Sequence, residues 1–262
     1  MKIPICQIDA FAEKVFSGNP AAVCPLNEWL SDEIMQNIAM ENNLAETAFI
    51  VKNNDFYEIR WFTPTVEVDL CGHATLASAF VIFNYENHSG DMVNFYSHRS
   101  GKLSVCKNND FLTLNFPIDT IEQIELTEEI YECFNIKPKL AFKGKTDYLL
   151  IFNNEDEIVD LIPNFINISK INARGIIVSA QGKNTDFVSR FFGPKVGINE
   201  DPVTGSAHTT LIPYWSNQLN KNLLSALQLS NRRGFLRCEL KDGRVEISGK
   251  CKLFLKGEIY LD

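Results

Sequence analysis

Length, composition and charge exclude several classes of protein. The chain has 262 residues, 45% apolar and 22% charged, which is ordinary for a globular protein and leaves room for two modest domains. Its net charge of −8 and the lack of a long basic run exclude an extended nucleic-acid surface, which needs clustered Lys and Arg. Seven scattered cysteines without a C-x-x-C pair predict buried thiols in a reducing compartment rather than a disulfide framework.

The first residues of the chain are not expected to form an export signal. Asp9 and Glu13 interrupt the region where a signal peptide needs an unbroken apolar stretch. The longest apolar segment, near Ala74–Phe83, is far shorter than a membrane span. We therefore expect a soluble cytoplasmic protein without a membrane or nucleic-acid partner.

Short runs rich in β-branched and aromatic residues predict strands along much of the chain. In the first half these runs are Ile3–Phe11, Ala21–Cys24, Glu46–Val51, Tyr57–Thr63, Met92–Ser97, Lys102–Lys107 and Phe111–Phe116. The final stretch, Phe235–Leu261, is typical of three consecutive strands. Asn108–Asp110 and Lys241–Gly243 lie between such runs and predict hairpin turns.

Helices are predicted at fewer places. Ser31 and Thr127 each precede two acidic residues, the pattern of an N-cap followed by a first turn that suits the positive end of a helix. Gly72–Phe83 is apolar on nearly all faces and predicts a buried central helix. A similar helix is predicted to open at Gly205, and Pro213 should end or kink it about two turns in.

One five-residue pattern, R-aromatic-F-x-P, occurs twice. It spans Arg60–Pro64 and Arg190–Pro194, 130 residues apart, about half of the chain. Each copy is followed by acidic residues and then by a glycine, Gly72 or Gly205, that opens a segment of small residues. The repeat predicts two lobes built from one unit and related by a pseudo-twofold axis, with their boundary in the polar connection 117–127.

Two such lobes predict a small-molecule site in the cleft between them, where the two helix starts would face each other. A helix start leaves backbone N–H groups without partners and carries partial positive charge, and glycine lets a ligand approach the backbone closely. The arrangement therefore predicts a site for a small carboxylated substrate, held without Lys or Arg.

Three residues near the first glycine are candidates for chemistry. Glu46 lies among apolar strand residues, where burial would suit a proton shuttle; alternatively it faces solvent, since strand residues alternate between faces. His73 could act as an acid or base near pH 7; alternatively it only caps the helix. Cys71 would suit a two-thiol racemase, but the matching stretch Pro202–Thr209 contains no cysteine, which favours a buried structural thiol.

The second glycine has polar neighbours of its own. Asp201 and Ser206 are each typical of ordinary turn and cap chemistry when taken alone. Their position in the repeat partner of the Gly72–His73 segment makes them candidate functional residues. His208 is expected within the second helix, in a structural role.

Common cofactor motifs are absent from the chain. No G-x-G-x-x-G follows a strand, and neither a Walker A motif nor a G-x-S-x-G elbow occurs. The four histidines include no pair at i, i+4 spacing, which argues against a histidine-based metal site. We therefore expect neither an organic cofactor nor a bound metal.

Four stretches of the chain are the most specific: QIDAFAEKVFSGNPAAVCPL, NLAETAFI, DLCGHATLASA and EDPVTGSAHTTLIPYW. They resemble the signature segments of the PhzF-like (phenazine biosynthesis-like) isomerase family, and the resemblance covers essentially the whole chain. It implies an α/β (α+β) fold of the diaminopimelate-epimerase type, with two pseudo-symmetric lobes, each a barrel-like, mostly antiparallel sheet around a central helix. By the same resemblance, residues 1–117 and the final strand 252–262 form one lobe, residues 118–251 form the other, and the protein is a homodimer.

The resemblance also implies a role for each matching residue. Glu46 matches the glutamate general acid/base that moves a proton between carbon atoms of the substrate. His73, Asp201 and Ser206 match residues that bind the substrate and assist the transfer. The remaining substrate-binding positions are Gly72, Gly205, Asn19 and Thr204.

The sequence thus predicts a cofactor-independent isomerase that moves a proton on a small carboxylated substrate. Two alternatives stay open at this point. One is a Cys71-dependent racemase or epimerase, and the other is a small-molecule-binding relative without turnover.

Overall fold

The computed structural model describes residues 1–262, which form two compact units. One unit consists of Met1–Asn115 with Ser248–Asp262, and the other of Phe116–Ile247. These limits lie a few residues from the predicted ones at 117 and 252. The difference arises because the strands Phe111–Pro117 and Arg244–Gly249 each run across a limit.

The first unit contains most of the long strands and the longest helix. In chain order its elements are Lys2–Ala10 (β1), Asn19–Leu26 (β2), Asp32–Asn42 (α1), Glu46–Asn53 (β3), Phe56–Phe62 (β4), Glu67–Val68 (β5), Gly72–Tyr85 (α2), Met92–Ser97 (β6), Gly101–Asn108 (β7) and Phe111–Pro117 (β8). The last strand of the chain, which belongs to the same unit, is numbered β18 below.

The second unit has shorter elements and more helices. They are Glu122–Ile124 (β9), Glu128–Tyr131 (α3), Leu140–Lys143 (β10), Asp147–Ile151 (β11), Glu155–Val159 (α4), Phe165–Lys170 (α5), Gly175–Gln181 (β12), Phe187–Gly193 (β13), Ile198–Asp201 (β14), His208–Leu219 (α6), Leu223–Gln228 (β15), Gly234–Lys241 (β16) and Arg244–Gly249 (β17). A 3-10 turn, Pro194–Val196, precedes β14, and Cys251–Tyr260 (β18) returns to the first unit.

Both units have the same strand topology. In the first unit β1 is antiparallel to β2 and β18, β2 is parallel to β3, and β3 is antiparallel to β4, which pairs with β5 and, in parallel, with β6. In the second unit β10 is antiparallel to β9 and β11, β11 is parallel to β12, and β12 is antiparallel to β13, which pairs with β14 and, in parallel, with β15. The duplication predicted from the repeat is therefore confirmed strand by strand.

A central helix stabilises each unit by burial. Along α2 the nine residues His73–Ala79, Val81 and Ile82 are buried, and the helix packs against β1, β2, β3, β7 and β18. Because strands cover several faces of this helix, its residues are apolar nearly all round. Its small side chains let those strands approach closely. With only 14 residues α2 is the longest helix, and no helix is long and apolar enough to cross a membrane.

The second central helix differs from its prediction in two ways. It begins at His208 rather than Gly205, because Gly205–Ala207 form a tighter turn in which His208 N–H donates to the Gly205 carbonyl at 3.0 Å. Pro213 does not end the helix, which continues to Leu219. The proline cannot donate to the Thr209 carbonyl, and the N–H of Asp119 donates to that carbonyl instead, at 3.1 Å.

Most of the other predicted elements are confirmed. The three strands from Phe235 onwards are β16, β17 and β18, and the Ser31 side chain caps α1 by accepting from Ile34 N–H at 3.3 Å. Thr127 is the N-cap of α3, although its side chain makes no capping hydrogen bond. The short helices α4 and α5 were not predicted from the sequence.

Candidate active site

A cluster of polar side chains lies at the start of α2 in the first unit. Glu46 begins β3, His73 is the second residue of α2, and both are buried, so the alternative that Glu46 faces solvent is wrong. Glu46 Oε2 lies 3.1 Å from His73 Nε2. The two atoms lack the alignment of a hydrogen bond and have no other hydrogen-bond partner, so their contact is an ion pair in a largely dry environment.

The other nitrogen of the imidazole has two neighbours. Asn19 Nδ2, at the start of β2, lies 3.3 Å from His73 Nδ1, and Cys71 Sγ lies 3.4 Å from the same atom. The imidazole ring is thus placed between a carboxylate on one side and an amide and a thiol on the other. The structure therefore brings together Glu46, His73, Gly72 and Asn19, four of the eight residues predicted for the site.

The charges of this cluster follow from burial and contact. Burial by itself lowers the pKa of His73, but the neighbouring Cys71 and Glu46 outweigh it, so the pKa of the imidazole lies well above its ordinary value. Burial, reinforced by Glu46, raises the pKa of the Cys71 thiol to about 11. The imidazole and the thiol therefore both hold their protons more tightly than the free groups do.

The second motif forms a separate cluster in the second unit. Asp201, at the end of β14, is buried, and its Oδ2 accepts a hydrogen bond of 2.6 Å from Thr204 Oγ1. Gln228, at the end of β15, is fully buried; its Oε1 accepts from Thr204 N–H at 2.9 Å, and its Nε2 donates to the Asp201 carbonyl at 2.8 Å. The Asp201–Thr204 turn is thereby held by hydrogen bonds from both its backbone and its side chains.

Gln228 was missed in the sequence analysis. The buried residues of β15 alternate as Leu224, Ala226 and Gln228, so a polar residue at an inward position of an alternating strand was the available signal. A buried amide at such a position needs hydrogen-bond partners, and the Asp201–Thr204 turn supplies them.

Ser206 lies beside an arginine that the sequence analysis also missed. Its Oγ accepts a hydrogen bond of 3.0 Å from Arg174, which also forms a two-point ion pair with the buried Asp147, with Nε to Oδ1 at 2.9 Å. The structure thus places an arginine beside Ser206, which the expectation of a site without Lys or Arg did not include. No local pattern indicated Arg174, because it lies 32 residues before Ser206.

His208 behaves as the sequence predicted for a structural residue. It is fully buried, and its Nδ1 lies 2.9 Å from the Thr204 carbonyl. Burial lowers its pKa to about 4, so the imidazole is neutral. The pKa values of the histidines in the two motifs are thus shifted in opposite directions.

Comparisons with known proteins show the family to which this chain belongs. Residues 8–257 match the PhzC-PhzF family, described as phenazine biosynthesis-like protein. An uncharacterized isomerase of Pseudomonas aeruginosa is 48% identical over 261 residues, which is 100% of each chain. This chain belongs to the PhzC-PhzF family. As a member of that family it is an isomerase.

Solved structures extend the comparison to the fold. The PhzF-family protein of Enterococcus faecalis is 49% identical, with a TM-score of 0.97 over 100% of both chains. A probable proline racemase of Agrobacterium radiobacter matches with a TM-score of 0.64 at 7% identity, covering 99% of this chain and 93% of its own. This second likeness concerns the fold alone. The PhzC-PhzF protein thus has the epimerase-like fold that the resemblance implied.

Proposed function

We propose that this PhzC-PhzF isomerase moves a proton between carbon atoms of a small carboxylated substrate, with Glu46 as general acid/base and without a cofactor. The observation that carries the proposal is the buried contact of 3.1 Å between Glu46 Oε2 and His73 Nε2 at the start of α2. A carboxylate in this position has one strong charge partner and no competing hydrogen bond at that oxygen. It is therefore available to accept a proton.

The proposed proton transfer uses the Glu46 carboxyl in both of its steps. Glu46 removes a proton from one carbon of the substrate and returns it to another, so no group other than the carboxyl has to carry the proton between the steps. His73 stabilises the carboxylate form by its charge and orients it through the same contact. General acid/base catalysis of this kind contributes about 10²–10⁴-fold to a rate.

A carboxylated substrate is supported by the start of α2. The first turn of this helix contains no acidic side chain, and its N-cap, Cys71, makes no side-chain capping hydrogen bond. The backbone N–H groups of the first turn and the partial positive charge of the helix therefore favour a bound anion.

The test is proton exchange at carbon in D₂O. We would incubate the protein with a panel of small cyclic and unsaturated carboxylates and follow deuterium incorporation by NMR and mass spectrometry. The proposal predicts exchange with at least one compound by the wild type and loss of it in Glu46→Gln. Glu41→Gln, the same change at an exposed position of α1, is the matched control. Unchanged exchange in Glu46→Gln would contradict the proposal.

The Cys71-dependent racemase is a second candidate, supported by the distance of 3.4 Å between Cys71 Sγ and His73 Nδ1. Two observations weigh against it: the raised pKa of the thiol, about 11, and the absence of cysteine from Pro202–Thr209. Cys71→Ser is therefore predicted to retain exchange. Loss of exchange in Cys71→Ser, with wild-type rates in Glu46→Gln, would favour the racemase.

A further inference from the structure

Three different metal-ligand types converge at the start of α2. Glu46, Cys71 and His73 each place one ligand atom within 4.8 Å of the others, and all three residues are buried. Two of the atoms that meet there, Glu46 Oε2 and His73 Nε2, have no hydrogen-bond partner. These two atoms lie 3.1 Å from each other, close to the spacing of two ligands on one ion.

We propose that Glu46, Cys71 and His73 form a binding site for a thiophilic divalent cation of the Zn²⁺ class, and that the bound ion blocks proton transfer. The binding itself is independent of the function proposed above, and only the blocking rests on it. No paired histidines mark this site in the sequence. Its ligands come from two separate segments, β3 and the N-cap and first turn of α2.

The ligand set is selective for this class of ion. Thiolate, imidazole and carboxylate are the three side-chain ligands of zinc, and three protein ligands with a fourth position left to water or substrate are typical of its non-structural sites. A soft thiolate disfavours Mg²⁺ and Ca²⁺, which take oxygen ligands. One thiolate and one carboxylate also neutralise a divalent ion, so the buried site would carry no net charge.

The distances are close to those that an ion needs. With bonds of about 2.0–2.3 Å, the ligand atoms of a tetrahedral zinc site lie roughly 3.3–3.8 Å apart. The Oε2–Nε2 distance of 3.1 Å is near this range, and the three ligand atoms all lie within 4.8 Å of one another, although Cys71 Sγ is also 3.4 Å from Nδ1. The contacts with Oε2 and Sγ involve opposite nitrogens of one ring, so one ligand has to move by about 1 Å, which rotation of the Cys71 or Glu46 side chain can supply.

The same geometry explains why the ion would inhibit. The carboxylate that has to accept a proton from the substrate would instead be bound to the metal, and so would the imidazole beside it. Glu46 is thus a ligand of the ion or a base for the substrate, but not both at once. The contact of 3.1 Å between Glu46 and His73 is the feature that both uses require.

The experiment measures metal binding without substrate. Chelator-treated wild-type protein would be titrated with Co²⁺, read by its thiolate charge-transfer absorption, and with Zn²⁺ by calorimetry. We expect one ion per chain, displacement of Co²⁺ by Zn²⁺ but not by Mg²⁺, and binding at least tenfold weaker in Cys71→Ser, without the charge-transfer band. Cys106→Ser, at an exposed cysteine of β7, is the control and should bind as the wild type does.

Two results would overturn the site. One is the absence of stoichiometric binding to the wild type. The other is binding as strong as that of the wild type in both Cys71→Ser and Glu46→Gln, which would indicate adventitious surface ions. Glu46→Gln also keeps the test decisive if Cys71→Ser fails to fold. Carbon exchange measured with chelator and then with Zn²⁺ separates the two proposals: binding without any exchange would refute the proposed function alone. Exchange that persists at saturating Zn²⁺ would refute the inhibition.

Discussion

The two units have the same strand topology and the same arginine contacts before their motifs, which together we call the frame. The side-chain contacts within the two motifs differ. In the first unit Arg60 forms a two-point ion pair with Glu67, with both contacts at 2.8 Å, and lies 5.2 Å from the Phe62 ring. In the second unit Arg190 pairs with Glu200 at 2.7 and 3.1 Å and lies 4.9 Å from the Phe192 ring. The arginine of each R-aromatic-F-x-P segment thus stabilises the strand before the motif through an ion pair and a contact with an aromatic ring.

Beyond this frame the motifs diverge. At Gly72 the α-helix begins at once, and ionisable side chains meet in a buried contact without hydrogen bonds. At Gly205 the helix begins only at His208, and Asp201 and Thr204 are held by the fully buried Gln228. The first motif thus holds buried ionisable side chains in direct contact, and the second holds a turn closed by hydrogen bonds.

The largest effect on stability is expected when that turn loses its buried amide. Gln228→Leu removes the acceptor of the Thr204 N–H and a donor to the Asp201 carbonyl, and a buried group that loses its hydrogen bond costs about 1–3 kcal/mol. We expect a loss of about 2–4 kcal/mol in the free energy of unfolding, measured in urea. Gln218→Leu, at an exposed position of α6, should change it by less than about 0.5 kcal/mol. A small effect of Gln228→Leu would show that the turn is not rigid.

The frame can be tested by the same change in both units. Arg190→Met removes the cation that contacts Glu200 and the donor to the carbonyls of Ile158 and Leu161. After Arg60→Met, Glu67 still contacts the guanidinium of Arg99 at 2.9 Å. We expect losses of about 2–3 kcal/mol for Arg190→Met and about 1 kcal/mol for Arg60→Met by denaturant unfolding. The reverse order would contradict the contacts described.

A smaller effect concerns acid stability. The hydrogen bond from Arg60 is the main cause that lowers the pKa of Glu67 below its ordinary value. A carboxylate with a lowered folded pKa adds stability above its unfolded pKa, and that stability disappears as pH falls through the folded pKa. Glu67→Gln should therefore lose less stability than the wild type between neutral and strongly acidic pH, by up to about 1 kcal/mol. Parallel pH profiles of the two proteins would contradict this.

The sequence predicted the frame better than the side-chain contacts. The repeat and the strand runs predicted two units of one topology, because apolar periodicity and the offset are local, countable signals. The helices α4 and α5, with five and six residues, are too short to show a helical period, although Asn154 and Asn164 cap them. Pro213 did not end its helix, because a backbone N–H from Asp119 replaces the missing donor.

The site was predictable only in part, because its contacts join residues that are distant in the sequence. Glu46 to Val51 are all buried, so the usual alternation of strand faces could not decide where Glu46 points. The family resemblance singled out the motif residues, but Gln228 and Arg174 come from other strands or loops and carry no motif of their own. The mixed ligand set of Glu46, Cys71 and His73 likewise depends on two segments that meet only in the fold.

The most direct test of the account measures exchange and binding on the same pair of variants. On a compound that the wild type exchanges, Glu46→Gln is predicted to lower the deuterium incorporation rate by about 10²-fold or more while its Kd stays close to the wild-type value. Glu41→Gln, the same change at an exposed position of α1, is predicted to leave both the exchange rate and the Kd at their wild-type values. If Glu46→Gln exchanged at the wild-type rate, the assignment of proton transfer to the first motif would be wrong.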